Sequence, residues 1–269
     1  MPTADGEIDT WNEVVQTKLD QTLSQAELGL SRRDDVDTEL ATPGVVQDPG
    51  LYATIHRRRD VRSSFTGERI HDAVMRRILA AAHGAPSVGL SQPWDFIIVE
   101  SARTRAKFWE HVQVEREAFA ATLASQRADL FARIKIEGIR ESSLAVVVTY
   151  DSSRGAPDVL GRHAIADAGL YSVCLAIQNL WLAATAEGLG VGWVSFYKES
   201  FLSELLGIPA GVRPVAWLCL GPVSHFEEVP DLERHGWRSR MALDEVLHHE
   251  KWCNAEPGVG NAGGDFDES

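Results

Sequence analysis

Apolar positions along this chain recur with two rhythms, helical and extended, which alternate between about residue 49 and residue 253. Ile70, Val74, Ile78 and Leu79 share one helical face up to the break HGAPS, and FIIVE, Phe96 to Glu100, then reads as a short buried strand. A charged amphipathic stretch from about Thr104 to Arg140 predicts two helices forming a flap, and LAVVVTY, Leu144 to Tyr150, predicts a second strand. Between Ala164 and Glu187 the residues Leu170, Val173, Cys174, Ile177, Leu180, Trp181 and Ala184 follow helical spacing with weakly polar flanks, as expected of a central, mostly buried helix. Gly188, Gly190 and Gly192 end that helix, and VGWVSF reads as strand. A short helix over Glu199 to Leu206 and a strand over PVAWLCLG complete the pattern, which has no fixed repeat.

This order predicts one mixed α/β domain over 49–253. Residues 1–48 are polar and acidic, with only a short possible helix near Trp11 to Leu28, and read as a flexible extension. The Gly-rich acidic segment 254–269 reads as a disordered tail. Hydrophobic residues make up 44% and charged residues 24%, so a fibrous or wholly disordered chain is excluded.

Charge narrows the partners. The formal net charge of −13 disfavours nucleic acid unless basic residues cluster strongly. MPTADGEIDT has no basic or apolar leader, and no stretch reads as a membrane span, so a cytoplasmic location with no membrane partner is expected. Cys174, Cys219 and Cys253 lack paired spacing and are expected to be buried thiols.

The basic residues do cluster at one place. RRRDVR, Arg57 to Arg62, sets four guanidinium groups around Asp60 and fits either a small phosphorylated ligand or a solvated basic patch. APSVGLSQPW, Ala85 to Trp94, forms a tight backbone with Gly89 permitting close approach of a flat ligand. In AEGLGVGWVS the glycines follow a helix and precede a strand, the reverse of a dinucleotide fingerprint. Ser195 lies in no GxSxG elbow, and no histidines, His248 and His249 included, show zinc spacing, so no metal is expected. Late in the chain, HGWRSR offers Arg238 for a phosphate or a surface ion pair.

Taken in order, RRRDVR, GAPSVGLSQPW, KIEGIR, LYSVCLAIQNLWLAA, AEGLGVGWVS, VAWLCLG and GWRSR resemble the dimethylbenzimidazole synthase branch of the flavin-dependent nitroreductase superfamily, from about Tyr52 to Trp252. The resemblance implies an α+β fold with a mixed central sheet surrounded by helices, a helical lid, and a homodimer with FMN at the subunit interface. It implies that Arg58, Arg59 and Arg62, with Asp60 and Val61 between them, contact the flavin, and that Arg238 lies near the phosphate. Pro86, Ser87, Val88 and Gly89 correspond to the loop along the isoalloxazine. Asp60 and Ser195 correspond to the two polar residues used in flavin breakdown, and Ala118 to Arg140, including Lys135 and Ile136, to the lid.

The implied reaction converts reduced FMN and dioxygen to 5,6-dimethylbenzimidazole and erythrose 4-phosphate, with a flavin reductase as candidate partner. An NAD(P)H-dependent nitroreductase that recycles FMN, or a non-catalytic flavin-binding module, would share the fold. Asp60 separates the first of these, since simple nitroreductases commonly carry a small polar residue there. Two positions depart from the branch pattern: Ala168-Gly169, where relatives tend to have Met-Asp, and Ser91, where a bulkier apolar residue is usual.

Overall fold

The computed structural model describes residues 49–252; the expectations for 1–48, for 254–269 and for Cys253 lie outside the described residues. Its elements are α1 (Pro49–Arg57), α2 (Asp72–His83), β1 (Trp94–Val99), α3 (Ala102–Ala120), α4 (Ser125–Ala132), β2 (Leu144–Asp151), α5 (Ala168–Ala186), β3 (Leu189–Val194), α6 (Glu199–Leu206), β4 (Val212–Pro222) and α7 (Asp231–Arg234). The four strands pair antiparallel in the order β1-β2-β4-β3. Among the described residues, the parallel component of the expected mixed sheet is the bridge between Asp60 and Val191 at the outer edge of β3.

Both faces of this sheet are covered, which is why its central strands read as continuous apolar runs. Leu144, Val146 and Val148 of β2, with Ala216, Leu218 and Leu220 of β4, point into one core beneath α2 and α5. The alternate residues Ala145, Val147, Trp217 and Cys219 point into a second core beneath α3, α4 and α6. Ile177 and Leu180 of α5 are almost wholly buried, each contributing about 1.5–3 kcal/mol.

Two sequence expectations shift. Helix α5 is 19 residues long and apolar enough to cross a membrane, contrary to the absence of any such stretch, but half of it is buried inside this fold against the sheet. Cys174 is exposed while Cys219 is buried. A helix apolar on most sides does not declare which of its faces meets the sheet, and Cys174 sits on the outward one. Burial pushes the Cys219 thiol up to about 12.

The departures from the branch pattern have local causes. A Cβ on Gly169 would lie 2.6 Å from the Tyr150 hydroxyl, so this position must stay bare while Tyr150 packs there. Ser91 is buried, donates to the Val88 carbonyl at 2.7 Å and approaches Gly155, leaving little room for a larger side chain.

Gly190 and Gly192 act together at the edge of β3. Val61 N–H donates to the Val191 carbonyl at 2.9 Å, and a Cβ on Gly192 would fall 2.1 Å from the Val61 carbonyl oxygen. Gly192→Ala is therefore expected to displace the Asp60–Val61 segment and lower the unfolding temperature by about 5 °C or more, since overpacking costs roughly 1–3 kcal/mol or beyond. Gly188→Ala meets nothing within 4 Å and bears only the strain of its φ of +79°. Thermal unfolding of the two variants, compared, checks this; equal losses would contradict it.

Candidate active site

The RRRDVR segment leaves the end of α1 and runs beneath α5 to the edge of β3. Its path is fixed by Trp181, whose indole N–H donates to the Arg59 carbonyl at 3.1 Å and whose ring lies 4.9 Å below the Arg58 guanidinium. Arg57 donates to the Thr185 carbonyl at 2.8 Å and tucks over Phe226, so it is spent on structure.

Arg58 and Arg59 instead line a cavity of about 580 Å³, together with Ile55, His56 and residues of the segment 228–240. The third arginine in its wall is Arg240; Arg238, the residue the resemblance nominated, is exposed and does not line this cavity. Burial, reinforced by the charges of Arg240 and Arg59 and opposed by Asp60, pulls the Arg58 guanidinium below its usual value. Arg59 reaches the carbonyls of His56, Arg58 and Glu228, yet its Nε is buried with no partner. Three guanidinium groups face two carboxylates there, Glu228 and Glu233, so positive charge is in excess. A phosphate monoester fits these donors: it would offset the crowding of like charges and accept from planar forks.

Asp60 faces the other way, and both of its oxygens are held. Oδ1 accepts from the Trp193 backbone N–H at 3.0 Å. Oδ2 accepts from Arg62 through Nη2 at 2.6 Å and Nε at 3.2 Å. The Arg62 side chain is 12% exposed and that of Asp60 32%, so this ion pair is largely shielded but reachable. The remaining Arg62 nitrogen donates to the Lys135 carbonyl at 3.1 Å, while the Lys135 ammonium pairs with Glu141 at 2.5 Å.

Arg62 and Trp193 also form the near wall of a 230 Å³ pocket with Ser195 at its rim. Phe119 at the end of α3, Phe131 of α4, Ile134 and Ile136 supply the lid side, and Phe196, Leu232 and Trp237 complete it. Two polar side chains, Arg62 and Ser195, are thus set in an aromatic and aliphatic surround, the composition of a site for a flat organic molecule. Asp60, Ser195 and the lid residue Ile136 are brought together through Arg62 and Trp193. The Trp193 contact comes from main chain, so no residue type could have announced it. Arg240 had a signal in the paired arginines of GWRSR.

Loop 86–89 is placed elsewhere. Gly89, Leu90 and Gln92 all have positive φ, at 55°, 52° and 42°, a strained run of the kind concentrated at functional loops. The run is held by Ser87 Oγ accepting from Gln92 N–H at 3.0 Å, by Arg154 on the Gln92 and Trp94 carbonyls, and by Val88 N–H donating to Ser172 Oγ at 3.1 Å. Ser172 and Trp181 are nine positions apart on α5, about two and a half turns and roughly 13 Å of axis, and so on opposite faces. Within one chain, then, the loop and the arginine segment flank α5 from opposite sides.

Comparison with known proteins agrees with this architecture. The pattern of the nitroreductase family matches residues 55–222. The 5,6-dimethylbenzimidazole synthase of Rhodospirillum rubrum is 40% identical over 191 residues, covering 71% of this chain and 90% of that protein. Among solved structures, a BluB-like flavoprotein from Clostridium difficile 630 superposes with a TM-score of 0.56 at 19% identity, covering 75% of this chain and 99% of that one. Oxidised iodotyrosine deiodinase bound to FMN and 3-iodo-L-tyrosine superposes with a TM-score of 0.59 at 20% identity, covering 75% and 100%. These two likenesses speak to the fold. The family match over more than half of the chain and the 40% identical relative go further: the chain belongs to the nitroreductase family.

Proposed function

We propose that this chain is a 5,6-dimethylbenzimidazole synthase, in which residues 49–253 form a domain that takes reduced FMN as substrate and fragments it with dioxygen. The observation that carries the reading is the Asp60 carboxylate, fixed by Trp193 and Arg62 beside an aromatic pocket with Ser195 at its mouth. A flavoprotein that merely recycles its coenzyme has no evident use for an acid held there. The name of the Rhodospirillum rubrum relative supports the same reading.

Reduced FMN supplies the electrons and the carbon skeleton of the product. Arg58, Arg59 and Arg240 bind its phosphate end, and Arg240 takes the place that the resemblance gave to Arg238. Asp60 takes up and returns protons at the ribityl side, its orientation held by main chain so that no reorganisation is needed when the proton moves. Ser195 orients the ribityl hydroxyls from the pocket mouth. The lid, with Lys135 and Ile136, excludes water and so slows release of peroxide.

The placement of loop 86–89 across α5 supports a second copy, whose Pro86, Ser87, Val88 and Gly89 would lie along the ring held by the first copy's arginines. The outward face of α5 has the character of such an interface: Tyr171 is 56% and Leu175 46% exposed, and Tyr52 of α1 is 54% exposed. The combined change Tyr171→Glu and Leu175→Glu is expected to halve the mass in sedimentation and to abolish FMN retention. A dimeric variant that still binds FMN would argue against this arrangement. A flavin reductase as electron source and a cytoplasmic location complete the reading.

The decisive experiment is aerobic incubation with chemically reduced FMN and mass analysis of the products. A benzimidazole is the expected outcome; recovered FMN with stoichiometric peroxide would sink the synthase reading.

A further inference from the structure

The lid helix α4 is short, and its packing is concentrated at its C-terminal end, where Phe131 meets Phe119 and Arg116 of α3 reaches the Phe131 carbonyl at 3.4 Å. Of its eight residues only Phe131 is buried, and an isolated helix of that length does not persist in water. At its far end the lid is tied by Arg62 donating to the Lys135 carbonyl. At its near end the tie is Arg127. This side chain lies with its guanidinium carbon 3.7 Å from the centre of the Trp237 ring and donates through Nη1 to the Trp237 carbonyl at 3.1 Å. Phe131, one turn further along α4, enters the same pocket that Trp237 walls. No sequence motif marked Arg127, which lies in the predicted flap without any role attached.

We propose that Arg127 is a positioning residue that clasps α4 onto Trp237 and thereby keeps the lid shut over the pocket at Ser195. The consequence for the reaction rests on the synthase reading above; the clasp itself does not. A cation over an indole and one exposed hydrogen bond are individually weak, which suits a closure that must release its product. The clasp touches neither Asp60 nor the arginine cavity, so its loss should leave flavin affinity almost unchanged. An opened lid lets the reduced flavin be oxidised unproductively: it passes two electrons and two protons to dioxygen, giving oxidised FMN and hydrogen peroxide.

The test uses the full chain and two variants, Arg127→Met, which keeps the stem but removes charge and donors, and Arg127→Lys, which keeps a cation and one donor. Hydrogen exchange is read by mass spectrometry over residues 121–137 of the flavin-free protein. Arg127→Met is expected to raise exchange there about 5- to 30-fold, with Arg127→Lys recovering part of the protection and the sheet unaffected. With reduced FMN in air, Arg127→Met should raise peroxide per flavin consumed by about 5-fold while FMN affinity stays within about 3-fold. Unchanged exchange in the lid would overturn the clasp whatever the chain produces. Faster exchange in Arg127→Met, together with no benzimidazole from the unaltered chain, would uphold the clasp and refute the synthase reading instead.

Discussion

Asp60→Asn is expected to abolish benzimidazole formation, by about 100-fold or more, while FMN still binds within several-fold of its original affinity. The geometry explains why the change should be so selective. In Asp60→Asn the side-chain oxygen can still accept from Trp193 N–H, but the amide nitrogen then faces Arg62, donor against donor. The variant loses its proton acceptor and leaves a nearly buried guanidinium without its partner, at a local cost of about 1–3 kcal/mol. The cavity lined by Arg58, Arg59 and Arg240 on the other side of the segment keeps all its donors. Product analysis and a flavin-quenching titration on the same preparation check the two halves. An Asp60→Asn variant that retained turnover would remove the acid from the chemistry.

The combined change Arg58→Met and Arg240→Met should have the opposite signature. Methionine keeps much of the apolar stem and removes the guanidinium head, including its contact over Trp181. Hydrogen bonds to a charged group contribute about 1.5–3 kcal/mol each, so two lost at a phosphate amount to about 3–6 kcal/mol, or roughly 100- to 10,000-fold in affinity. Riboflavin, which lacks the phosphate, should bind the variant and the unaltered chain nearly equally. Parallel titrations with FMN and riboflavin are the check, and equal losses for both flavins would mean that the cavity does not hold the phosphate.

Much of the fold was legible because its strongest signals are periodic. The helix over Glu199 to Leu206 and the strand beginning at Leu144 lie where the pattern put them. Strand polarity was not legible: apolar runs report burial on both faces and are silent about direction, so an antiparallel sheet with one parallel bridge reads like a mixed one. The site was legible where chemistry resides in side chains close together in sequence, as in RRRDVR. It was obscure where partners are main-chain atoms far along the chain, as with Trp193 on Asp60 and Lys135 on Arg62, or where one arginine of a pair faces the cavity and its neighbour faces solvent. Cys174 shows the same limit, since its outward position follows from which flank of α5 the sheet occupies.

The bridge between Asp60 and Val191 decides what the acid moves with. Although Asp60 belongs to a connection between two helices, it is fastened by backbone pairing to the outermost strand of the sheet, and its carboxylate is gripped two residues further along that same strand. It therefore inherits the stiffness of the layered interior instead of the looseness of a surface connection. Coverings on either side are free to fluctuate on their own timescales while the carboxylate keeps its bearing.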